Sequence, residues 1–142
     1  MGIIEKVENI KDDIVFIYTI CKDIEEARSM GYSAIREKLA ISMDYWIINS
    51  IYPWQGVIQE VDQYILMFST KKLISEKLIK HIESEHSYNI PMIVRCDTDM
   101  TNLPYSLWVD NTLANEEKYI TEPEAKIKKD NEEGINYYEK LK

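Results

Sequence analysis

The 142-residue chain is poor in glycine and proline, with four of each, and carries only two cysteines and two histidines. Two cysteines, Cys21 and Cys96, are too few for a secreted disulfide scaffold and fit a reduced compartment. No apolar run approaches the ~18–20 residues that span a bilayer, so no membrane partner is expected. The opening Met1-Gly2-Ile3-Ile4-Glu5-Lys6 lacks the basic, apolar, small-residue order of a secretion signal. Lys6 also breaks the myristoylation pattern, and the expected location is cytoplasmic. Basic charge is scarce as well: 17 Lys and Arg face 25 Asp and Glu, a formal net charge of −8. Binders that track phosphates draw their affinity from Lys and Arg, so nucleic acid is not expected as a partner. Catalytic signatures are missing too. There is no Gly-rich phosphate loop, no Gly-x-Ser-x-Gly elbow and no His-Glu-x-x-His, and no enzyme is expected.

What is present is a packable core, with 45% apolar and 11% aromatic residues. Ile14–Ile20 is a β-branched and aromatic run of strand length. Asp23-x-x-Glu26 has capping-box spacing, and the apolar positions from Ile24 to Leu39 predict a helix over ~23–39. Ile41–Ile51 and Val61–Ser69 read as strands, with Pro53 and Gly56 between them; Gly56 marks a bend or bulge. Leu73–Glu85 reads as a second helix, Met92–Cys96 as a strand and Leu103–Leu113 as a short helix. The β-α-β-β-α-β order predicts an α+β, ferredoxin-like sandwich. Residues 1–13 and 114–142 flank a domain at 14–113. In the charged C-terminal stretch, Glu122/Lys126 and Glu124/Lys128 stand at i,i+4, with Pro123 and Gly134 at helix start and stop positions. A short helix or a mobile tail fits it, and a chain cut after Leu113 is expected to stay folded.

Tyr45-Trp46-Ile47-Ile48 is apolar at successive positions, and successive strand side chains face opposite sides of a sheet. One helical layer covers one face only. A second copy of the chain on the other face is the simplest cover; the alternative cover is the terminal helix or tail.

Ser50-Ile51-Tyr52-Pro53-Trp54-Gln55-Gly56-Val57-Ile58-Gln59-Glu60 resembles the hallmark segment of the CutA family, the divalent-cation tolerance proteins. His86-Ser87-Tyr88-Asn89-Ile90-Pro91-Met92-Ile93 and Pro104-Tyr105-Ser106-Leu107-Trp108 are similar to its two later motifs, in the same order. The resemblance implies a non-enzymatic homotrimer built on the long hairpin and associated with copper or another divalent metal. It also marks Tyr52, Trp54, Gly56, Tyr88, Pro91 and Trp108 as motif residues of an intersubunit cleft. The family's usual Glu, Lys and Glu are replaced here by Gln55, Val57 and Gln59; its Lys, Pro and Glu by Ser69, Ser87 and Met92. Most of the lost groups are ionic. That favours, as the alternative, a regulatory or scaffolding trimer that binds a small ligand or a protein partner without a physiological metal.

The topology brings the end of the first strand, at Cys21, near the start of the last, just after His86. A thiolate and an imidazole suit Cu(I) or Zn(II), with further ligands from Met92, Asp23 or a neighbouring subunit. The competing reading is a strand-end cysteine and a histidine bonded to backbone. Cys21 and Cys96 fall at opposite ends of adjacent strands, too far apart for a disulfide. His81, Asp12-Asp13 and Asp97/Asp99 read as solvated surface.

Overall fold

A computed structural model describes the backbone of residues 13–140 and the side chains of residues 13–132. The expectations placed on residues 1–12 lie outside the described residues. The element order is β1 (Ile14–Cys21), α1 (Ile24–Arg36), β2 (Ser42–Trp54), β3 (Val57–Lys71), α2 (Ser75–Glu85), β4 (Ile93–Asp97), α3 (Leu103–Ala114) and α4 (Glu122–Lys140). A single 3₁₀ turn, Lys72–Ile74, leads into α2. The strands form one antiparallel sheet in the order β2-β3-β1-β4. This is the expected ferredoxin-like arrangement.

α1 starts where the sequence places it. Asp23 is the N-cap, its side chain accepting from the Glu26 amide at 2.8 Å, and Glu25 and Glu26 complement the helix dipole in the first turn. It stops three residues sooner than the apolar spacing predicts. Lys38 adopts φ 60°. Its amide donates to the Ile35 carbonyl at 3.0 Å, and the Leu39 amide donates to that of Ala34 at 2.9 Å. Together these form a Schellman termination with Lys where glycine is usual, so the stop is invisible in composition.

α1 and α2 cover one face of the sheet. Ala27, Met30 and Ala34 of α1 and Leu78 and Ile82 of α2 pack on Val15, Ile17, Leu66 and Phe68. Removing side chains of this size from water contributes about 1.5–3 kcal/mol each. Gly31 permits the approach of α1 to β2, because a Cβ there would collide with Met43 Cε.

β2 and β3 pair without interruption from Ser42↔Ser69 to Trp54↔Val57. The hallmark segment is therefore strand on both sides, joined by the two-residue turn Gln55-Gly56. Both residues have positive φ, 48° and 78°, as a type I′ hairpin turn requires. Gly56 thus sits in a tight turn and not in a bulge. Pro53 is tolerated because β2 is an edge strand. The β1–β3 ladder ends at Cys21↔Tyr64, so the pairs from Ile48↔Gln63 to Trp54↔Val57 form a two-stranded arm beyond the sheet. Its length is roughly 20 Å at ~3.3 Å per residue.

The C-terminal stretch reaches back to α1, where Arg36 pairs with Glu124, and among the described residues Trp46, Trp54 and Val57 on the sheet's second face stay exposed. α4 opens with a reciprocal capping box. The Thr121 amide donates to Glu124 Oε2 at 3.0 Å, and the Glu124 amide donates to Thr121 Oγ1 at 3.4 Å. The helix runs past residue 134 to Lys140, so Gly134 does not stop it. A glycine inside a helix costs about 1 kcal/mol, which need not end one.

Candidate functional site

Parity along the strands decides what the open face carries. Residues directly opposite one another in the ladder share a face. Trp46, Ile48, Ser50, Tyr52 and Trp54 therefore stand with Ile65, Gln63, Val61, Gln59 and Val57, on the side away from the helices. Trp46 is 45% exposed and Trp54 49%, and Val57 and Ile58 at the tip are more exposed still. Monomeric proteins rarely leave so large an apolar surface uncovered.

Between the arm and the loop that enters β4 lies a cleft of about 820 Å³. Ile20, Tyr52, Trp54, Gln59, Gln63, Tyr88, Asn89 and Met92 are among the residues lining it. Tyr88 spans its base, donating from its phenol to Gln63 Oε1 at 2.7 Å. Burial, then the neighbouring Tyr52, then the charge of Glu26 raise the Tyr88 pKa. The phenol therefore stays protonated and keeps its donor. Among the described residues, no charged side chain lines the cleft.

His86 and Cys21 are near neighbours of this cleft and do not open into it. The side chain of His86 is fully buried. Its Nε2 lies 2.9 Å from the Ile20 carbonyl oxygen and 3.1 Å from Thr19 Oγ1, and its Nδ1 accepts from the Tyr88 amide at 3.1 Å. A carbonyl can only accept and an amide N–H can only donate, so the ring is neutral with its proton on Nε2. Glu26 holds the same loop, taking the Ser87 amide at 2.9 Å and the Ser87 hydroxyl at 2.8 Å. Cys21 is completely buried, its thiol 3.5 Å from the Asp23 carbonyl. Burial foremost, and then the charge of Glu26, push its pKa up to about 12. Metal ligation needs a thiolate and a free imidazole nitrogen. Within one subunit the Cys21 thiol is buried and both His86 ring nitrogens are hydrogen-bonded, so the fold engages the pair. Among the described residues no three His, Cys, Asp or Glu side chains are grouped to hold one.

Other expected positions fall elsewhere. Trp108, on α3, does not line the cleft; it is half-exposed, its ring centroid 5.8 Å from that of Tyr105. Gly56 forms the tip of the arm and Pro91 precedes Met92 on the way to β4. His81 is not bare surface, since its Nε2 is 2.8 Å from Ser33 Oγ and 3.1 Å from Glu85 Oε1. Cys96 is exposed opposite Phe16 and Cys21 is buried further along β1; both are free thiols.

Residues 15–112 match the family model described as CutA1 divalent ion tolerance protein. The chain belongs to the CutA family. It is 29% identical over 101 residues to a divalent-cation tolerance protein CutA of Thermococcus kodakarensis, covering 71% of this chain and 97% of that one. To the chloroplastic protein CutA of Arabidopsis thaliana it is 24% identical over 102 residues, covering 71% of this chain and only 56% of the plant protein. A solved structure of CutA1 from Ehrlichia chaffeensis superposes with a TM-score of 0.70 at 22% identity, over 73% of this chain and 98% of that one. At that identity the superposition speaks for the fold alone. Among the described residues of this CutA-family chain, no helix is long and apolar enough to cross a membrane.

Three contributors to the site were not singled out by motif. Gln63 and Asn89 line the cleft, and Glu26 clamps its loop. Gln63 had a legible signal: it shares strand parity with Gln59, the partner of Tyr52. Glu26 and Asn89 had none, because a capping glutamate and a loop asparagine look the same with or without a site beside them.

Proposed function

We propose that this CutA-family protein works as a non-enzymatic homotrimer in the response to divalent metal ions, assembled through its open sheet face and projecting arm. The observation that carries the assembly is the arm itself. A two-stranded hairpin is marginal in water on its own, yet this one exposes Ile51, Tyr52, Trp54, Val57 and Ile58. Copies of the chain supply the missing layer. The metal role, for copper or another divalent ion, is supported by family membership alone, since the Cys21–His86 pair is committed to the fold. The charged groups missing from positions 55, 57, 59 and 92 leave no compensating site among the described residues.

Native mass spectrometry at micromolar concentration tests the assembly. A trimer is expected, and Trp46→Asp, which sets a charge in the middle of the open face, should dissociate it. A monomeric wild-type mass overturns the reading. An anaerobic Cu(I) titration against a competing chelator, on wild type, Cys21→Ala and His86→Ala, tests the metal arm. Copper affinity is expected to be indifferent to both substitutions. Tight binding at a fixed ratio per subunit, lost in both variants, would restore that pair as the ligands.

A second reading is favoured by the uncharged lining of the cleft: a regulatory or scaffolding trimer that responds to a small molecule. Its location is taken to be cytoplasmic, in keeping with two unpaired cysteines.

A further inference from the structure

The cleft combines three features. Its walls are aromatic and aliphatic, with Tyr52 and Trp54 on the arm and Met92 facing them at the entry to β4. Its polar groups are amides and hydroxyls, of which Gln59, Gln63 and Asn89 can each donate and accept. Among the described residues, no carboxylate, ammonium, guanidinium or imidazole lines it.

Gln63 makes the arrangement directional. It is 5% exposed, and its Oε1 is held by the Tyr88 phenol. Its amide NH₂ has no hydrogen-bond partner among the described residues, and it is not sealed from solvent. A side chain anchored at one end, with its donor left for the cavity, is a preorganised recognition group. Tyr88 is itself fixed, because its own amide is bonded to His86 Nδ1 and the next residue back is clamped by Glu26. The Gln63 amide at the base of the arm is thus tied to the Tyr88 phenol and its loop, with Tyr52 and Trp54 further along the same arm.

We infer that this cleft binds an uncharged, flat molecule carrying both hydrogen-bond donors and acceptors, such as an aromatic amide or a neutral heterocycle. The aromatic faces of Tyr52 and Trp54 take the ring plane, and Gln63 and Asn89 take the polar edge. An ion of the same shape is excluded by chemistry and not by size. Moving it out of water into this cleft would strip its hydration with no opposite charge to replace it. Ligand sites of 300–1,000 Å³ are typically apolar with a few convergent polar groups, and this one fits that description. The inference deepens the second reading above by naming the class of ligand, and it requires that Tyr52, Trp54 and Gln63 stay open to the cleft when copies of the chain assemble.

Three probes of one shape and different charge test it: benzamide, benzoate and benzamidinium, titrated into the native full-length oligomer. The readouts are the side-chain amide resonances of Gln63 and Asn89 and the Trp54 indole, with the native mass measured on the same samples. Benzamide should shift all three groups and bind at least about fivefold more tightly than either ion. Gln63→Leu should weaken benzamide about fivefold at unchanged native mass. Asn89→Ala, in a loop outside the sheet, supplies the same comparison should Gln63→Leu alter assembly. Benzoate or benzamidinium binding as tightly as benzamide overturns the inference. So does a cleft in which none of the three probes moves these resonances, as when a neighbouring copy's arm fills it. A monomeric mass with selective benzamide binding would defeat the trimer and leave the ligand class standing.

Discussion

His86 donates from Nε2 to the carbonyl oxygen of Ile20 at 2.9 Å, just beyond the last β1–β4 pair, Thr19↔Ile93. A side chain thus satisfies a strand carbonyl where the neighbouring strand has not yet begun. The other ring nitrogen takes the Tyr88 amide, so one residue ties β1, the end of α2 and the cleft loop together. His86→Ala leaves a buried acceptor and a buried donor unpaired, each costing about 1–3 kcal/mol. The expected loss of stability is about 2–4 kcal/mol by urea denaturation. His86→Gln, whose amide can still reach Ile20, should recover part of it. Full stability in the alanine variant would mean that the loop is held by Glu26 alone.

The Cys21 thiol has a folded-state pKa of about 12 against an ordinary value of 9.0, raised mainly by burial. Between these two values the unfolded chain has lost the proton and the folded chain keeps it. The folded state therefore binds more protons, and stability falls as pH rises from about 9 to about 12. Below pH 9 the contribution is fully present. Cys21→Ala should flatten this alkaline decline relative to wild type in denaturation series. At pH 8 iodoacetamide should modify exposed Cys96 and spare Cys21 until the protein unfolds. Equal labelling of both thiols in the native protein would contradict the burial.

The tip of the arm separates two substitutions that composition would treat alike. At Gly56, φ is 78° and a Cβ would meet nothing within 4 Å, so Gly56→Ala costs only its backbone strain, about 1–2 kcal/mol. Gln55 adopts φ 48° with a side chain that gains nothing from it. Gln55→Asn, better suited to a left-handed residue, should stabilise by a few tenths of a kcal/mol. Thermal melts of the two variants should move in opposite directions. The same sign for both would mean that neighbouring copies, and not the turn, set the conformation there.

These positions also show what the sequence could reveal. The order of elements followed from periodicity alone, and the strand pairing from topology. Two of the places where the elements differ from expectation, the end of α1 and the hairpin turn, involve a non-glycine residue at positive φ. Lys38 ends α1 and Gln55 closes the hairpin, and neither residue type advertises that backbone. The site was legible only in its aromatics. Tyr52, Trp54 and Tyr88 stand in motifs, whereas the roles of Gln63 and Glu26 come from partners distant along the chain, the Tyr88 phenol and the Ser87 backbone. His86 is bonded to the Ile20 carbonyl, the Thr19 hydroxyl and the Tyr88 amide, partners that its motif does not reveal.

The tail is strapped to the end of α1 through the same unusual residue. Lys38 Nζ lies 3.4 Å from the centre of the Tyr119 ring, buried and with no hydrogen-bond partner, and Tyr119 donates its hydroxyl to the Thr112 carbonyl at 2.6 Å. Arg36 and Glu124 pair nearby at 3.2 Å, both about half exposed. A cut after Leu113 removes the ring but also the cover, so the ammonium regains water and no charge is left buried. The cost is the lost cation–π contact, about 0.5–2 kcal/mol, with little from the exposed ion pair. The shortened protein should keep its number of subunits by native mass spectrometry and melt a few degrees lower. Tyr119→Leu in the full chain should cost at least as much, because it keeps the ammonium covered while removing the aromatic face it rests on. A truncation far more damaging than Tyr119→Leu would show that the tail serves the core through contacts other than this one.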